Sequence, residues 1–235
     1  MQMNVIQKVR NLDRKQKAQI IRYAGHVAAW LPLIVLVYDW WFYRLGIEPI
    51  REITLRTGKW TLILLLSSLA ITPIKLVTGW NQLHSLRRIF GVYAFMYVCL
   101  HLGNFAIVDY NFDLRLVVEE IILRRYALVG FAAFLILLPL ALTSTKGWMK
   151  RLGKNWTKLH RLVYVAGILG VIHYIWIVKN AYTEPAIYAT ILTVALMMRL
   201  KPIRTRISRW QRKMTQRARQ SNRAASTKAQ TTTIP

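Results

Sequence analysis

Along the chain, apolar residues come in long runs and charged residues in short clusters between them. Ile89–Val108 carries no formal charge, and neither does Tyr126–Thr145. Each run has about the twenty residues that a helix needs to cross the hydrocarbon core of a bilayer. A helix satisfies its own backbone hydrogen bonds there, as a lipid-exposed loop cannot. A soluble core helix of that length would show a charged face. The pattern predicts six spans, near residues 24–43, 60–77, 89–108, 126–145, 161–178 and 185–200. The sixth has the shortest uncharged core, Pro185–Met198, and Arg199 is expected to snorkel from its end towards the headgroups. Pro139 is expected to kink the fourth span. No internal sequence repeat is evident. The fold class is therefore all-α: a polytopic membrane helix bundle of about six transmembrane helices. Three parts follow: a basic head over 1–23, a transmembrane domain over 24–200 and a basic tail over 201–235. The end of the tail, Ser221–Pro235, is polar and without aromatics, and is expected to be disordered.

Charge gives the bundle a direction. Of 235 residues 54% are hydrophobic, yet the net charge is +25, so the two kinds must be segregated. Lys8, Arg10, Arg14, Lys15, Lys17 and Arg22 crowd the head, and Lys75, Arg87 and Arg88 lie between spans two and three. Lys146, Lys150, Arg151, Lys154 and Lys158 lie between spans four and five. The positive-inside rule then places both termini and these loops in the cytoplasm. Glu48, Glu52, Asp109, Asp113, Glu119, Glu120 and Glu184 fall on the opposite side. The basic tail reads as a segment held by anionic membrane lipid, not as a nucleic-acid-binding arm. The one cysteine, Cys99, forms no intrachain disulfide and is expected to be a small apolar residue in a buried helix. No CxxCH motif for covalent c-type haem occurs. The N-terminal stretch is too polar for a cleaved signal peptide.

The candidate chemistry lies in the histidines. His26, His101, His160 and His173 fall in or at the edge of apolar spans, while His84 is predicted in an inner loop. Ionisable groups inside a membrane are costly and mark function or partnership, and imidazole is the common axial ligand of haem iron. His101 and His173 lie at similar depth in spans three and five, which both run outward, so a porphyrin between those helices could take both. His160 precedes His173 by 13 residues, about 20 Å of helical rise and about 140° of rotation. A second iron centre at His160 therefore requires a bend, at Gly167 or Gly170, or a different neighbour; His26 and His84 are the candidates. Arg87, Arg88 and Lys154 at the inner rim set topology, or pair with haem propionates or a flavin phosphate. Asp39, near the outer end of span one, is a candidate for proton handling.

These residues sit in recognisable phrases. Arg87-Arg88-Ile89-Phe90-Gly91 followed by Leu100-His101-Leu102 resembles the third helix of the ferric-reductase-like transmembrane superfamily. Leu142-Thr143-Ser144-Thr145, Leu152-Gly153-Lys154-Asn155-Trp156, Leu159-His160 and His173-Tyr174-Ile175-Trp176 narrow the resemblance to its MsrQ (YedZ) family, over roughly residues 20–200. The resemblance implies a multi-pass protein of the bacterial inner membrane that binds haem b, one or two, and FMN. It implies electrons drawn from quinone or quinol and passed to a periplasmic molybdopterin-containing catalytic subunit of the MsrP type, which repairs methionine sulfoxide in envelope proteins. His101, His160 and His173 match the family's haem-ligand histidines, and His26 matches a further recurring one. Where two-haem relatives carry another histidine on the third helix, this chain has Arg87 upstream and Arg115 downstream. Arg125 stands where the family favours proline.

Two other functions fit the sequence less well. A stand-alone ferric or superoxide-forming reductase needs a nucleotide-binding domain, and neither a GxGxxG signature nor a tail of sufficient length is found. A non-redox transporter or assembly protein would use the histidines for packing or proton relay; no inverted repeat of broken helices supports it.

Overall fold

The structure, a computed structural model, describes residues 13–178 and 183–231; Lys8 and Arg10 of the head lie outside them. Its helices are α1 (Arg14–Trp41), α2 (Pro49–Thr78), α3 (His84–Gly103), α4 (Leu114–Leu123), α5 (Arg125–Leu142), α6 (Lys146–Leu152), α7 (Lys154–Leu159), α8 (Val163–Ile177), α9 (Thr183–Met197) and α10 (Lys201–Thr231). A π-helical turn, Asn104–Asp109, extends α3, and a 3-10 turn, His160–Leu162, joins α7 to α8. No strand occurs among the described residues. Five helical stretches are long and apolar enough to cross a membrane. They become six if α9 and the first part of α10, bent by 78° between them, count as one. α9 ends at Met197, and the chain turns sharply before α10.

Local chemistry marks the ends. Pro49 opens α2, where its missing N–H costs nothing. Gly79 closes the same helix in the left-handed region (φ 74°), its N–H donating to the Lys75 carbonyl at 2.9 Å. That conformation is one glycine adopts without a Cβ penalty. Asp113 caps α4 by accepting from the Arg115 and Leu116 N–H groups, at 3.0 and 3.2 Å.

α2 is the axis of the bundle. Leu62, Leu64, Leu65, Leu66 and Leu69 are all at most 5% exposed, although they point to different sides of the helix. A helix apolar all round is one with neighbours on every side. One face packs with Ala29, Ala94, Tyr97, Leu137 and Ala166, the other with Val171 and Leu192. Lipid supplies no hydrophobic drive between helices, so polar bonds add adhesion. Tyr97 donates to the Ala29 carbonyl at 2.9 Å, and Ser68 to the Arg87 carbonyl at 2.7 Å.

Several expectations are revised. Residues between spans three and four form α4, whose apolar side chains come at helical spacing. The loop between spans four and five contains α6 and α7. His84 is the exposed first residue of α3 and not part of a loop. Cys99 is exposed on the bundle's surface, because α3 turns its Ala94–Tyr97 face inward. α10 extends to Thr231, through much of the tail expected to be disordered; no proline or glycine interrupts it after Pro202. Arg199 does not snorkel outward. It donates to the Tyr164 hydroxyl and, at 2.6 Å, to the Leu69 carbonyl, with its guanidinium 4.8 Å from the Tyr164 ring centre.

Candidate functional site

The imidazoles of His101 (α3) and His173 (α8) face one another inside the bundle, ring centres 6.1 Å apart and planes at 88°. Each is fixed by the backbone of a neighbouring helix. His101 Nδ1 meets the Thr54 carbonyl of α2 at 2.8 Å, and His173 Nδ1 meets the Tyr126 carbonyl of α5 at 2.7 Å. A carbonyl only accepts, so both Nδ1 atoms carry the proton. Each neutral ring is thereby held in the tautomer whose Nε2 lone pair is free for a metal. Helix carbonyls are normally committed to the residue four ahead; here each takes a second bond with its other lone pair.

Close packing sets the ring positions as tightly as the hydrogen bonds do. A Cβ on Gly58 would lie 2.9 Å from His101 Cε1, and one on Gly130 would lie 2.6 Å from His173 Nδ1. Real Cβ atoms do not approach so near, so only glycine fits beneath each ring.

The two halves correspond. Histidine and carbonyl are separated by 47 residues in both cases. A single offset of 72 carries Thr54 to Tyr126, Gly58 to Gly130 and His101 to His173. The same offset carries Leu65 to Leu137 (2% and 5% exposed) and Ala94 to Ala166 (both 0%). The α2–α3 and α5–α8 pairs are thus two copies of one structural unit facing each other across a cavity. Sequence reading found no repeat because few side chains match. The available signal was the glycine placed at one spacing before each intramembrane histidine.

The cavity between the halves has a volume of about 80 Å³. Its walls are apolar, and among the described residues Lys59 is the one charged residue lining it. At its mouth the Lys59 ammonium pairs with both Glu184 carboxylate oxygens at 3.0 Å, and the Tyr174 hydroxyl donates to Glu184 at 2.8 Å. Beyond His101, Asn104 of the π-turn donates to the Ile50 carbonyl (3.0 Å) and the Thr54 hydroxyl (2.5 Å), tying α3 to α2. Ion pairs gather at this end: Arg56 with Asp39 (2.6 Å) and Glu52 (2.7 Å), and Arg124 with Glu120. Asp39, weighed between proton handling and a place among the headgroups, is the partner of Arg56.

The donor set fits a tetrapyrrole metal. Rings 6.1 Å apart would leave room for one metal ion between them at metal–imidazole bond lengths of about 2 Å. Among the described residues no three His, Cys, Asp or Glu side chains cluster as a metal site. Two imidazoles suffice only for a metal that brings its other donors with it, as haem does.

The remaining sequence candidates lie elsewhere. His160 stacks on Trp156, with ring centres 3.9 Å apart, and neither of its buried ring nitrogens has a partner. The 3-10 turn, not a bend at Gly167 or Gly170, takes it off the regular helix of His173. Arg87 is close enough for its charge to act on His160, whereas Arg88 and Lys154 are exposed. His26, exposed on α1, has its Nδ1 3.0 Å from the Tyr93 hydroxyl.

Comparison with known proteins agrees with this architecture. Residues 57–171 match the family model described as ferric reductase like transmembrane component. Three curated relatives are named Protein-methionine-sulfoxide reductase heme-binding subunit MsrQ. The one from Xanthomonas axonopodis pv. citri (strain 306) is 45% identical over 181 residues, 74% of this chain and 83% of that protein. The one from Xanthomonas campestris pv. campestris (strain 8004) is 44% identical over 183 residues, 75% and 84% of the two chains. The one from Herminiimonas arsenicoxydans is 44% identical over 184 residues, 77% and 84%. With its apolar helices and this degree of identity, the chain is a multi-pass protein of the bacterial inner membrane and belongs to the MsrQ family.

Proposed function

We propose that this chain is a membrane electron-transfer subunit that holds haem b between His101 and His173. It takes electrons from the quinone pool and delivers them to a periplasmic molybdopterin-containing subunit of the MsrP type, which reduces methionine sulfoxide in envelope proteins. The observation that carries this reading is the pair of facing imidazoles, 6.1 Å apart, each with Nδ1 tied to a backbone carbonyl. The names of the curated relatives support haem and a methionine-sulfoxide reductase system.

Haem supplies one-electron chemistry when bound. The chain's residues supply the setting. The Thr54 and Tyr126 carbonyls fix the tautomers and add electron density to the ligands. Gly58 and Gly130 let the rings stand close to their helices. The leucine-lined cavity keeps water away, and Lys59 offers a cation to an anionic substituent. In the proposed orientation both termini are cytoplasmic, and the acidic end with this site faces the periplasm. Electrons would then leave from the side where the partner works.

His160 is the proposed ligand of a second haem towards the cytoplasm, supported by its unpartnered ring nitrogens. Arg87 and Arg88, at the same rim, are the proposed cations for propionates or for the phosphate of FMN. His26, whose Nδ1 contacts Tyr93, is the other candidate histidine at this end.

The test is the absorption spectrum of detergent-purified protein, oxidised and then dithionite-reduced, for wild type and for His101→Ala, His160→Ala and His173→Ala. Sharp reduced bands that fall with His101 or His173 support the reading. A haem-free wild type, made with ample haem supply, overturns it.

A further inference from the structure

Outside the histidine cavity, the largest unexplained feature is a groove between α2 and α9 at the basic end of the bundle. Ala70, Pro73, Ile74 and Val77 form one wall, and Ile191, Val194 and Met198 much of the other. It is an open groove of about 440 Å³ and is almost wholly apolar. From Ala70 to Thr78 it follows α2 for about 12 Å of rise, most of the thickness of one leaflet of a hydrocarbon core about 30 Å deep. It does not join the site described above, whose lining stops at Leu65 on α2.

The end of this groove is built differently from its walls. Past Met198 the chain turns, and α10 departs at 78° to α9. Lys201 opens α10 and Arg204 follows one turn later, both exposed. Lys75 stands on α2 between the groove residues Ile74 and Val77. Gln211 fixes this crossing: it lies against Gly79, where a Cβ would come 2.6 Å from its amide nitrogen. α10 is itself amphipathic, with Ile203, Ile207, Trp210 and Met214 at helical spacing among arginines and lysines. Trp210 and Met214 are 54% and 47% exposed. A helix of that kind lies in the headgroup plane.

We propose that this groove is a binding site for one anionic phospholipid, with an acyl chain between α2 and α9 and its phosphate among Lys75, Lys201 and Arg204. The walls alone would accept any hydrocarbon. The basic rim next to the groove's end selects an anionic lipid, because charge-assisted bonds to phosphate are the strong ones. The site links α2 to α9 where α9 is too short to span by itself. Its occupant completes the packing that protein leaves open.

The test is native mass spectrometry of the full-length protein after incubation with equal amounts of phosphatidylglycerol and phosphatidylcholine bearing the same acyl chains. Wild type should retain phosphatidylglycerol preferentially. Lys201→Gln and Arg204→Gln, both exposed and so unlikely to disturb folding, should each reduce that preference about fivefold. Ala70→Leu with Val194→Phe, which fills the groove with apolar atoms, should remove the retained lipid while circular dichroism keeps its helical signal. Equal retention of both lipids by wild type overturns the proposal, as does retention that survives the filled groove. Displacement of the bound lipid by an isoprenoid quinone at equal concentration also overturns it. None of these outcomes depends on haem, so the two proposals fail separately.

Discussion

Gly130 lies so close beneath His173 that a β-carbon there would come within 2.6 Å of Nδ1, the atom that donates to the Tyr126 carbonyl one turn earlier on the same helix. One helix thus contributes both the contact that sets the ring's height and the bond that sets its tautomer. Gly58 and Thr54 do the same for His101. Because the glycine contact is against ring atoms near the hydrogen bond, adding a methyl group displaces the ring and breaks the bond together. Overpacking of this kind costs about 1–3 kcal/mol. Gly130→Ala is expected to lower the haem-to-protein ratio and shift the low-spin resonance signal of the oxidised protein. Gly58→Ala, with its longer 2.9 Å approach, should do so less. Equal, wild-type spectra for both variants would remove glycine packing from the account.

His26 provides a contrast within the same bundle. Its ring nitrogen is held by the Tyr93 hydroxyl, and interhelical bonds in membranes average about 0.6 kcal/mol. His26→Phe should therefore leave the reduced absorption bands intact and cost only a small loss of thermal stability. Tyr93→Phe should match it. A large loss of haem from His26→Phe would show that the pair with Tyr93 is not its working arrangement.

Arg199 anchors the basic end of α9. Its guanidinium reaches the Tyr164 hydroxyl and the Leu69 carbonyl together, a fork that lysine's single ammonium cannot reproduce. Arg199→Met leaves the Tyr164 oxygen without that partner, and about 1–3 kcal/mol should be lost. Arg199→Lys should recover only part of it. Denaturation in detergent followed by circular dichroism reads both; full recovery by lysine would mean that charge alone matters.

At the opposite end α9 is held by Glu184, through Lys59 and Tyr174. Lys59 and Glu184 are 40% and 50% exposed, so the pair should be worth no more than about 1 kcal/mol. Its location at the cavity mouth makes the rate of haem loss the more sensitive readout. Lys59→Met and Glu184→Gln should each speed transfer of haem to a soluble scavenging protein. The exchanged pair Lys59→Glu with Glu184→Lys should restore part of the wild-type rate if the tie between helices is what matters. No restoration would assign the effect to a cation at position 59 itself.

The spans and the depth of the two central histidines were legible in the sequence, because both follow from where charge is missing. Hydrophobic runs report what must be inside lipid, and counting along two parallel helices brings His101 and His173 level. The groups that hold those histidines were not legible. Thr54 and Tyr126 act through backbone carbonyls, which every residue possesses, so nothing in their side chains marks them. Gly58 and Gly130 were visible as letters but not as contacts, since their role depends on which helices are neighbours. Arg199 was misread for a related reason. Snorkelling is the default for a charge at a span's end, and only the closeness of Tyr164 and the Leu69 carbonyl gives it a better alternative inside. α4 was missed because the segment between the third and fourth spans was treated only as a connection.

The offset of 72 residues leaves the cavity with a nearly two-fold cradle, and such a cradle offers a lopsided plate two seatings that differ by a half-turn. Matched positions cannot choose between them; only mismatches can. The offset sets Lys59, which lines the cavity, against Phe131, which is not among the lining residues. It also sets Thr61 against Ala133 and Val98 against Gly170 along the walls. One half of the cradle therefore presents a cation at its rim and bulkier walls, and a guest with carboxylates on one side and vinyl groups on the other can tell the halves apart. By keeping the histidines, glycines and carbonyls alike while these pairs diverge, the fold separates what holds a guest from what orients it.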